Sequence, residues 1–423
     1  MKIITVCLIS LLFQVKIAWS QTDTMINRKM LKFIEYMDLV GKHNLDLASA
    51  RFEVSKSEAA IEMAKIFPDP NLSFGVSQDK EANLTTGHGV SSGLDVTIDL
   101  FGKRRARIDL ARSEHELTKA LLSDFFRNLE ADAATTFLDA LKQKQLFGVK
   151  ISSYQTMKRL AEADSLRLKL GSIMEIDAIQ SNLEAESLYN DLLQAEADLK
   201  NSYIRISQMT GTLKVDTLWI PDGNLAFKER HFVLTDLIEI ARNNRADLVA
   251  ALYNKEVAKK ALKLAKKERN IDLGLSFGIQ NGYPSSGNGP TSSTVSAGIA
   301  IPLKFSNIYT GELKMAEFQI SQNEALYEKA DLQIRTEISQ ALQQYQAFCK
   351  QVDNFDHGLL ESAQKVRKGK IYSYNRGETS LLEVLNAQRT YNDIQQAYYE
   401  TMYNRAVSLV TLEKASGIWD INF

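Results

Sequence analysis

Two similar stretches of sequence decide the fold: LKLGSIMEIDAIQSNLEAE at residues 168–186 and YNRGETSLLEVLNAQRTYN at residues 374–392. Aligned from their first residues, they place Gly171 over Gly377 and Asp177 over Glu383. A glycine between two helix-forming segments is typical of a turn, because glycine takes the positive φ that ends a helix without strain. Each stretch therefore predicts a long helix, a turn and a return helix.

The similarity continues outside these turns, so the chain consists of two copies of one unit. NLSFGV at 71–76 matches GLSFGI at 274–279, and MTG at 209–211 matches ASG at 415–417. Such self-similarity indicates repeated supersecondary units. We expect a signal peptide at 1–20, a first repeat at 21–212, a linker at 213–231, a second repeat at 232–417 and a C-terminal tail at 418–423.

The first segment has the pattern of an export signal, with Lys2 before the apolar run Ile3–Phe13 and small residues at Ala18 and Ser20. This run is far shorter than the roughly 20 residues of a membrane-spanning helix. No later segment is apolar over about 18 residues, so we expect no transmembrane helix. After residue 20 the only cysteine is Cys349, which we expect to be a packed side chain outside any disulfide.

Four segments alternate apolar with polar or small residues, as strands do: residues 71–78, 92–101, 271–280 and 294–303. Their lengths suit strands that cross a membrane at a tilt, although a small soluble sheet packed on helices has the same alternation. The polar segments 79–92 and 281–293 predict loops. Four strands cannot close a barrel, so the membrane interpretation requires several chains to pool their strands.

Long helices carry most of the remaining mass. Residues 104–170 contain one glycine, and none of the 6 prolines lies at 71–220 or 303–423, which disfavours a sandwich, a TIM barrel or a Rossmann fold. In the second copy a heptad pattern requires partner helices: Ala341, Tyr345, Phe348, Val352, Phe355 and Leu359. An ordinary coiled coil has this spacing too, but it lacks a strand pair in each repeat.

The motifs favour no enzymatic chemistry. The 5 histidines stand at no ligand spacing with one another or with cysteine, and no P-loop, GxSxG or GxGxxG motif occurs. We therefore expect no catalytic residues, no metal site and no cofactor. Lys and Arg total 51 against 52 Asp and Glu, which gives no reason to expect a nucleic-acid partner.

A basic segment, GKRRAR at 102–107, follows the second predicted strand. Its cations would lie where a strand leaves a membrane and could meet anionic headgroups: Lys103, Arg104, Arg105 and Arg107. A plain solvated basic surface is the alternative.

Each predicted turn is followed by a carboxylate six residues after its glycine, Asp177 or Glu383. Near the start of a return helix, such a carboxylate stabilises the helix dipole. If several chains place these turns around one axis, the same carboxylates form a ring that attracts cations at a constriction.

The turns carry a resemblance to a known family, the outer-membrane efflux proteins, which include the TolC-like exit ducts of Gram-negative bacteria. The family pattern G-x5-D/E-V-L-x-A-Q is kept well in the second copy, at Gly377, Glu383, Val384, Leu385, Ala387 and Gln388. It is looser in the first copy, at Gly171, Asp177, Ala178, Ile179, Ser181 and Asn182. The resemblance covers essentially the whole chain after residue 20.

The resemblance implies a mainly α fold with a small β part, in which the duplicated helix-strand-strand-long helix-helix unit forms a homotrimer. Three chains would share a twelve-stranded β-barrel in outer-membrane lipid and a helical α-barrel tunnel in the periplasm. The implied partners are a periplasmic adaptor (membrane fusion) protein and an inner-membrane RND-type transporter.

The resemblance also implies roles for residues at the turns. The periplasmic gate would comprise Glu383, Asn386, Asp177 and Gln180, and the adaptor-docking turns Gly171, Gly377, Leu170 and Arg376. Asn386 stands where the family has a second acidic residue, so this turn contributes one carboxylate ring instead of two.

The strand-to-helix junctions, DLFGKRRARIDLA at 99–111 and IPLKFSNIYTGELKMA at 301–316, are similar to the branch that exports cobalt, zinc and cadmium or copper and silver. This similarity implies a passive duct for heavy-metal cations. Two alternatives stay open: a duct for drugs and other organic compounds, and a secreted coiled-coil scaffold without a pore.

Overall fold

A computed structural model describes residues 27–81, 84–211, 217–285, 290–303, 309–421 and 423, and the expected signal peptide lies outside them. The fold is mainly helical with a small β part, as predicted. The first half contains β1 Asn27–Lys32, α1 Phe33–His43, α2 Leu45–Lys65, β2 Asn71–Glu81, β3 Leu84–Ile98, α3 Lys103–Lys169 and α4 Glu175–Met209. The second half contains β4 Thr217–Asp222, α5 Leu234–Asn244, α6 Ala246–Glu268, β5 Leu273–Pro284, β6 Ser292–Ala300, α7 Thr310–Asn354, α8 Leu360–Asn375 and α9 Leu381–Ser416.

The two long helical arms differ in continuity. In the first half α3 runs unbroken for 67 residues, which corresponds to about 100 Å at 1.5 Å per residue. In the second half the arm is divided into α7 and α8 by a break at Phe355–Leu359, where Gly358 has a φ of +103°. A glycine accommodates this kink because it lacks a Cβ. Of the predicted heptad side chains, Ala341, Tyr345 and Val352 are buried and Phe348 is half-buried, whereas Leu359 beyond the break is exposed.

Among the described residues, no helix is both long enough and apolar enough to cross a membrane.

The four predicted strands form one antiparallel sheet in the order β2-β3-β5-β6, so the hairpins of the two repeats join through β3 and β5. The predicted strand boundaries need correction in both repeats. The segment 79–92, expected as a loop, is mostly strand, since β2 continues to Glu81 and β3 begins at Leu84. Polar residues keep the extended conformation there because cross-strand pairing supplies their backbone hydrogen bonds. At the other end, β3 stops at Ile98 and not at residue 101. In the second repeat β5 spans Leu273–Pro284 where 271–280 was expected, so it takes up part of the predicted loop 281–293, and β6 spans Ser292–Ala300 where 294–303 was expected.

Both strand-to-helix junctions contain an aromatic residue in the left-handed backbone region. Phe101 has a φ of 63° and is followed by Gly102, the N-cap residue of α3. Tyr309 has a φ of 57° and is itself the N-cap residue of α7. This conformation is unusual for a bulky residue. The same unusual conformation therefore occurs next to the long helix in both repeats.

The two faces of the four-stranded sheet differ in chemistry. On one face serine and glycine oppose each other across the strands, as in Gly75 with Ser91 and Gly278 with Ser296. The other face carries exposed apolar side chains: Leu72, Phe74, Val76, Phe277, Ile279, Val295 and Ile299. The sheet therefore has one face of small and polar side chains and one apolar face that the described residues leave uncovered.

A second sheet lies halfway along the helices, and the sequence analysis missed it. Strands β1 and β4 pair in parallel, so the predicted linker 213–231 contains a strand. Around this sheet the largest core cluster forms, in which Phe33 and Tyr36 of α1 pack their rings against Phe137 of α3. Through this core, the segments that contain β1 and β4 pack against the middle of α3.

Candidate functional site at the hairpin tips

The turns at the far ends of the helical arms have the same backbone geometry in both repeats. Gly171 and Gly377 have φ values of 69° and 76°. The amide of Ser172 donates to the carbonyl of Arg167, and the amide of Glu378 donates to the carbonyl of Ser373, both at 2.9 Å. These bonds are the Schellman pattern that ends a helix at a glycine, so the predicted turns are confirmed.

The two hairpin tips pack against each other through a small core of their own. Its buried members come from both arms: Met157, Leu160, Ala161, Ala185, Leu188, Tyr374, Leu381, Val384 and Leu385. The apolar residues of the family pattern, Val384 and Leu385, therefore serve this contact. This contact stabilises the pairing of the tips, because separating them would expose these side chains to water.

A buried carboxylate connects the tips. Asp164 near the end of α3 has a fully buried side chain, and Tyr374 at the end of α8 donates its hydroxyl to Asp164 Oδ1 at 3.1 Å. Burial raises the pKa of Asp164, while the Ser181 side chain, the hydrogen bond from Tyr374 and the nearby Arg167 guanidinium oppose the rise. Arg167 also donates to the backbone carbonyl of Asn375 at 3.1 Å. The sequence analysis overlooked Asp164, although its position seven residues after buried Met157 placed it on the apolar face of α3.

The expected gate carboxylate of the second repeat has a partner in its own hairpin. Glu383 on α9 forms an ion pair with Lys370 on α8 and accepts a hydrogen bond from Thr379 at 2.7 Å. The hydrogen bond from Lys370, the bond from Thr379 and the charge of Lys370 lower the pKa of Glu383. Glu383 is therefore ionised near neutral pH, but Lys370 compensates its charge.

The remaining expected gate residues occupy matching positions on the return helices. Gln180 follows Asp177 by three residues, and Asn386 follows Glu383 by three, which places each pair on one helix face. Gln180 and Asn386 are exposed, and Asp177 is half-buried. The negative charge of Asp177 is close enough to contribute to the raised pKa of Asp164.

Exposed apolar side chains surround the turns. Leu170 is 72% exposed, and the neighbouring Met174, Ile176 and Leu382 are exposed as well. Arg376 lies over the ring of Tyr372 and donates to its hydroxyl at 3.1 Å. Apolar patches of this kind are typical of contact surfaces.

The predicted membrane-interface cations lie at the opposite end of α3, and the structure separates them. Lys103 is buried and pairs with Asp272 at 2.7 Å, and Arg107 pairs with Asp99 at 2.7 Å. Arg104 donates to the carbonyl of Lys65 at 2.6 Å and lies over the ring of Phe67. These three side chains make internal contacts, which leaves Arg105 as the fully exposed cation of the segment.

Within the part of the chain that the structure describes, no group of three or more His, Cys, Asp or Glu side chains could hold a metal ion. Cys349 is a buried free cysteine in the core formed by α5, α6, α7 and α9.

The chain is similar to known proteins over most of its length. It is 23% identical over 383 residues to the cobalt-zinc-cadmium resistance protein CzcC of Cupriavidus metallidurans, covering 90% of this chain and 88% of the relative. It is 22% identical over 390 residues to the outer membrane efflux protein BepC of Brucella suis, covering 89% and 83%. Among solved structures, CusC, studied for its folding and transmembrane channel formation, matches with a TM-score of 0.70 at 18% identity over 91% of both chains.

The family model described as outer membrane efflux protein matches residues 37–212 and 237–418, that is, both repeats and the hairpin tips of each. Because the match covers most of the sequence, the chain belongs to the outer membrane efflux protein family and is a transport protein of the outer membrane.

Proposed function

We propose that this protein is the exit duct of a tripartite efflux system, a homotrimer that passively conducts heavy-metal cations out of the periplasm. The observation that carries the proposal is the four-stranded sheet with an uncovered apolar face. Its edge strands, β2 and β6, have no partner strand among the described residues. An open edge is costly in lipid because its backbone groups find no water. Three copies that join β6 to β2 would remove every edge and form a twelve-stranded barrel.

The helical arms support the same assembly. Their described surfaces keep exposed apolar residues far from the tips, such as Leu121, Met315, Phe318 and Leu332. Neighbouring chains would cover these side chains and close the helices into a tunnel, as heptad patterns do in coiled coils. The arms are long enough, at about 100 Å, to reach deep into the periplasm.

At the tips, the proposed gate comprises Asp177, Gln180, Glu383 and Asn386. Around a three-fold axis Asp177 and Glu383 would repeat as rings of carboxylates, which attract cations. Lys370 weakens the second ring because it compensates Glu383. We therefore propose that the constriction attracts cations weakly. Contacts such as the hydrogen bond between Tyr374 and Asp164 would hold the tips together in the closed state.

The turns themselves, at Gly171 and Gly377, are the proposed docking surface for a periplasmic adaptor that connects the duct to an inner-membrane RND-type transporter. The exposed side chains of Leu170, Leu382 and Arg376 support this role, since apolar anchors with a charged neighbour are typical of protein interfaces.

The docking role predicts a charge-sensitive surface. We expect Leu170→Asp with Leu382→Asp to abolish resistance while the protein still assembles, because buried anions weaken an apolar contact. Thr390→Asp, an exposed position eight residues beyond Leu382 on α9, is the matched control. Full resistance in the double variant would show that the turns are not the docking surface.

Heavy-metal cargo is supported by the similarity to CzcC, whose name states cobalt, zinc and cadmium resistance. The test is the growth of a deletion strain in cobalt, zinc, cadmium, copper or silver beside a panel of dyes, bile salts and antibiotics. We expect selective metal sensitivity that the intact gene reverses. Sensitivity to the organic compounds alone would be consistent with a duct but would contradict heavy-metal cations as its cargo.

A further inference from the structure

A strongly basic surface lies on α3 and α6, close to where both helices meet the sheet. It consists of five exposed cations, two on α3 and three on α6, which we call the external basic patch: Arg105, Arg112, Lys259, Lys263 and Lys266. Residues spaced by three, four or seven positions share a helix face, so each set forms one row. The two rows are adjacent because α6 packs along α3.

An ion pair fixes how the two rows align. Lys263 contacts Asp109 at 2.8 Å, and its hydrogen bond, together with the charges of Lys260 and Arg105, lowers the pKa of Asp109. Because the helices are antiparallel, Lys266 lies level with Arg105. Arg105 follows the last residue of β3, Ile98, by seven positions, and Lys266 precedes the first residue of β5, Leu273, by seven. Both cations therefore lie on the order of 10 Å beyond the sheet.

Two further ion pairs show which side of the duct wall the patch occupies. Lys103 pairs with Asp272 and Arg107 with Asp99, at 2.7 Å each. Asp99 and Asp272 continue the strand alternation onto the serine and glycine face. Lys103 and Arg107 thus lie on the side of α3 that continues this face. Arg105 is two positions from each, about 200° around the helix, so the patch continues the exposed apolar face.

The patch carries a net positive charge. Its five cations have two carboxylate partners, since Lys263 pairs with Asp109 and Lys259 with Glu256. Among the described residues no ion pair involves Arg105, Arg112 or Lys266. Exposed cations placed just beyond an apolar membrane-facing surface are suited to phosphate groups of lipids.

We propose that Arg105 and Lys266, the end of the external basic patch nearest the sheet, bind the phosphate groups of anionic phospholipids in the periplasmic leaflet of the outer membrane. The apolar sheet face would contact the acyl chains, and Arg105 and Lys266 would lie at headgroup depth, since headgroups extend roughly 5–8 Å beyond the hydrocarbon. The proposal rests on the location in the outer membrane and is independent of the cargo and of the pump partners.

The experiment measures lipid bound to the purified full-length protein. Protein in a neutral detergent is mixed with equal amounts of phosphatidylglycerol and phosphatidylcholine and separated from free lipid by gel filtration. The retained lipids are then quantified by mass spectrometry. The test variant is Arg105→Gln with Lys266→Gln. The matched control is Lys144→Gln with Lys350→Gln, which removes two exposed cations from distant parts of α3 and α7.

We expect the wild type and the control to retain about fivefold more phosphatidylglycerol than phosphatidylcholine, and the test variant to lose most of this preference. High salt should reduce the preference as well, because it screens exposed charges. Equal retention of both lipids by the wild type would overturn the proposal. An undiminished preference in the test variant would also overturn it, and lost resistance with that preference intact would assign the patch to an acidic protein partner.

Discussion

Tyr374 donates its hydroxyl to the buried carboxylate of Asp164, 210 residues earlier in the chain, at 3.1 Å. This bond joins the long helix of the first repeat to the broken arm of the second, directly beside both turns. Asp164 Oδ2 has no hydrogen-bond partner among the described residues, so Oδ1 carries the bond from Tyr374, with Arg167 at 3.5 Å and the Ser181 side chain nearby. Because a buried acceptor is costly to leave unpaired, removing one of these donors should destabilise the contact between the tips.

The first prediction concerns this bond. Tyr374→Phe removes a hydrogen-bond donor from the buried carboxylate of Asp164, which should destabilise the paired tips by roughly 1–3 kcal/mol. Faster amide hydrogen exchange in 154–188 and 371–385 would report the loosening. Tyr372→Phe on the same helix is the control: it removes an exposed hydrogen bond from Arg376 and should therefore change exchange far less. Equal exchange in both variants would show that the bond does not hold the tips.

The second prediction concerns the charge at the tips. Lys370→Gln should free the negative charge of Glu383 and increase cation preference, while Glu383→Gln should free Lys370 and decrease it. Reversal potentials in planar bilayers under a salt gradient measure both shifts. The double variant should return close to the wild type, because it removes one charge of each sign. Lys365→Gln is the control, since Lys365 pairs with Glu361 on the same helix. If both single variants matched the wild type, Glu383 would not lie at the constriction.

The third prediction concerns a buried arginine at the junction of α5 and α6 in the second repeat. Arg245 is 3% exposed and pairs with Asp247 at 2.5 Å and Glu337 at 2.7 Å, and it donates to the carbonyl of Ala415. Arg245→Ala removes the nearest cation from both carboxylates, although Asp247 keeps Arg127 at 3.7 Å and both carboxylates are partly exposed, so it should cost about 3 kcal/mol in the free energy of unfolding. Arg242→Ala removes only an exposed pair with Asp331 and should cost at most about 1 kcal/mol. Thermal unfolding compares the two, and equal midpoints would contradict the structural role of Arg245.

The fourth prediction concerns pH. Burial raises the pKa of Glu130 on α3 to about 7. The folded protein then holds a proton that the unfolded chain releases above its ordinary pKa of 4.5, so stability is fully present below pH 4.5 and falls as the pH rises towards 7. Glu130→Gln should therefore raise the unfolding temperature by a few degrees at pH 8 and leave it unchanged at pH 4.5. Glu328→Gln, an exposed glutamate on α7, is the control. A shift of equal size at both pH values would contradict the assigned pKa.

Local patterns were sufficient to predict much of this fold. The glycines at 171 and 377 predicted both turns, and alternation in residues such as Leu72, Phe74 and Val76 predicted the strands, because each signal depends on neighbouring residues only. The sheet order, with β3 beside β5, was not predictable in this way, since it joins segments of different repeats. The parallel pair β1 and β4 was missed for the same reason.

The candidate site was only partly predictable. The family pattern predicts Asn386 and Gln180 as gate residues, and both are exposed, but it did not predict the pairing of Glu383 with Lys370, because that pair joins side chains 13 residues apart across the turn. The basic segment shows the same limit. Its composition suggested four equivalent cations, whereas the fold turns Lys103 and Arg107 to one side of α3 and Arg105 to the other.

The most direct measurement is the electrical conductance of the purified full-length protein in planar lipid bilayers. A trimeric duct with a pooled barrel should produce discrete conductance steps that favour cations, and the preference should shift in Lys370→Gln and Glu383→Gln. A protein that inserts as a trimer but never conducts, including in Tyr374→Phe with loosened tips, would contradict the duct and support a scaffold without a pore.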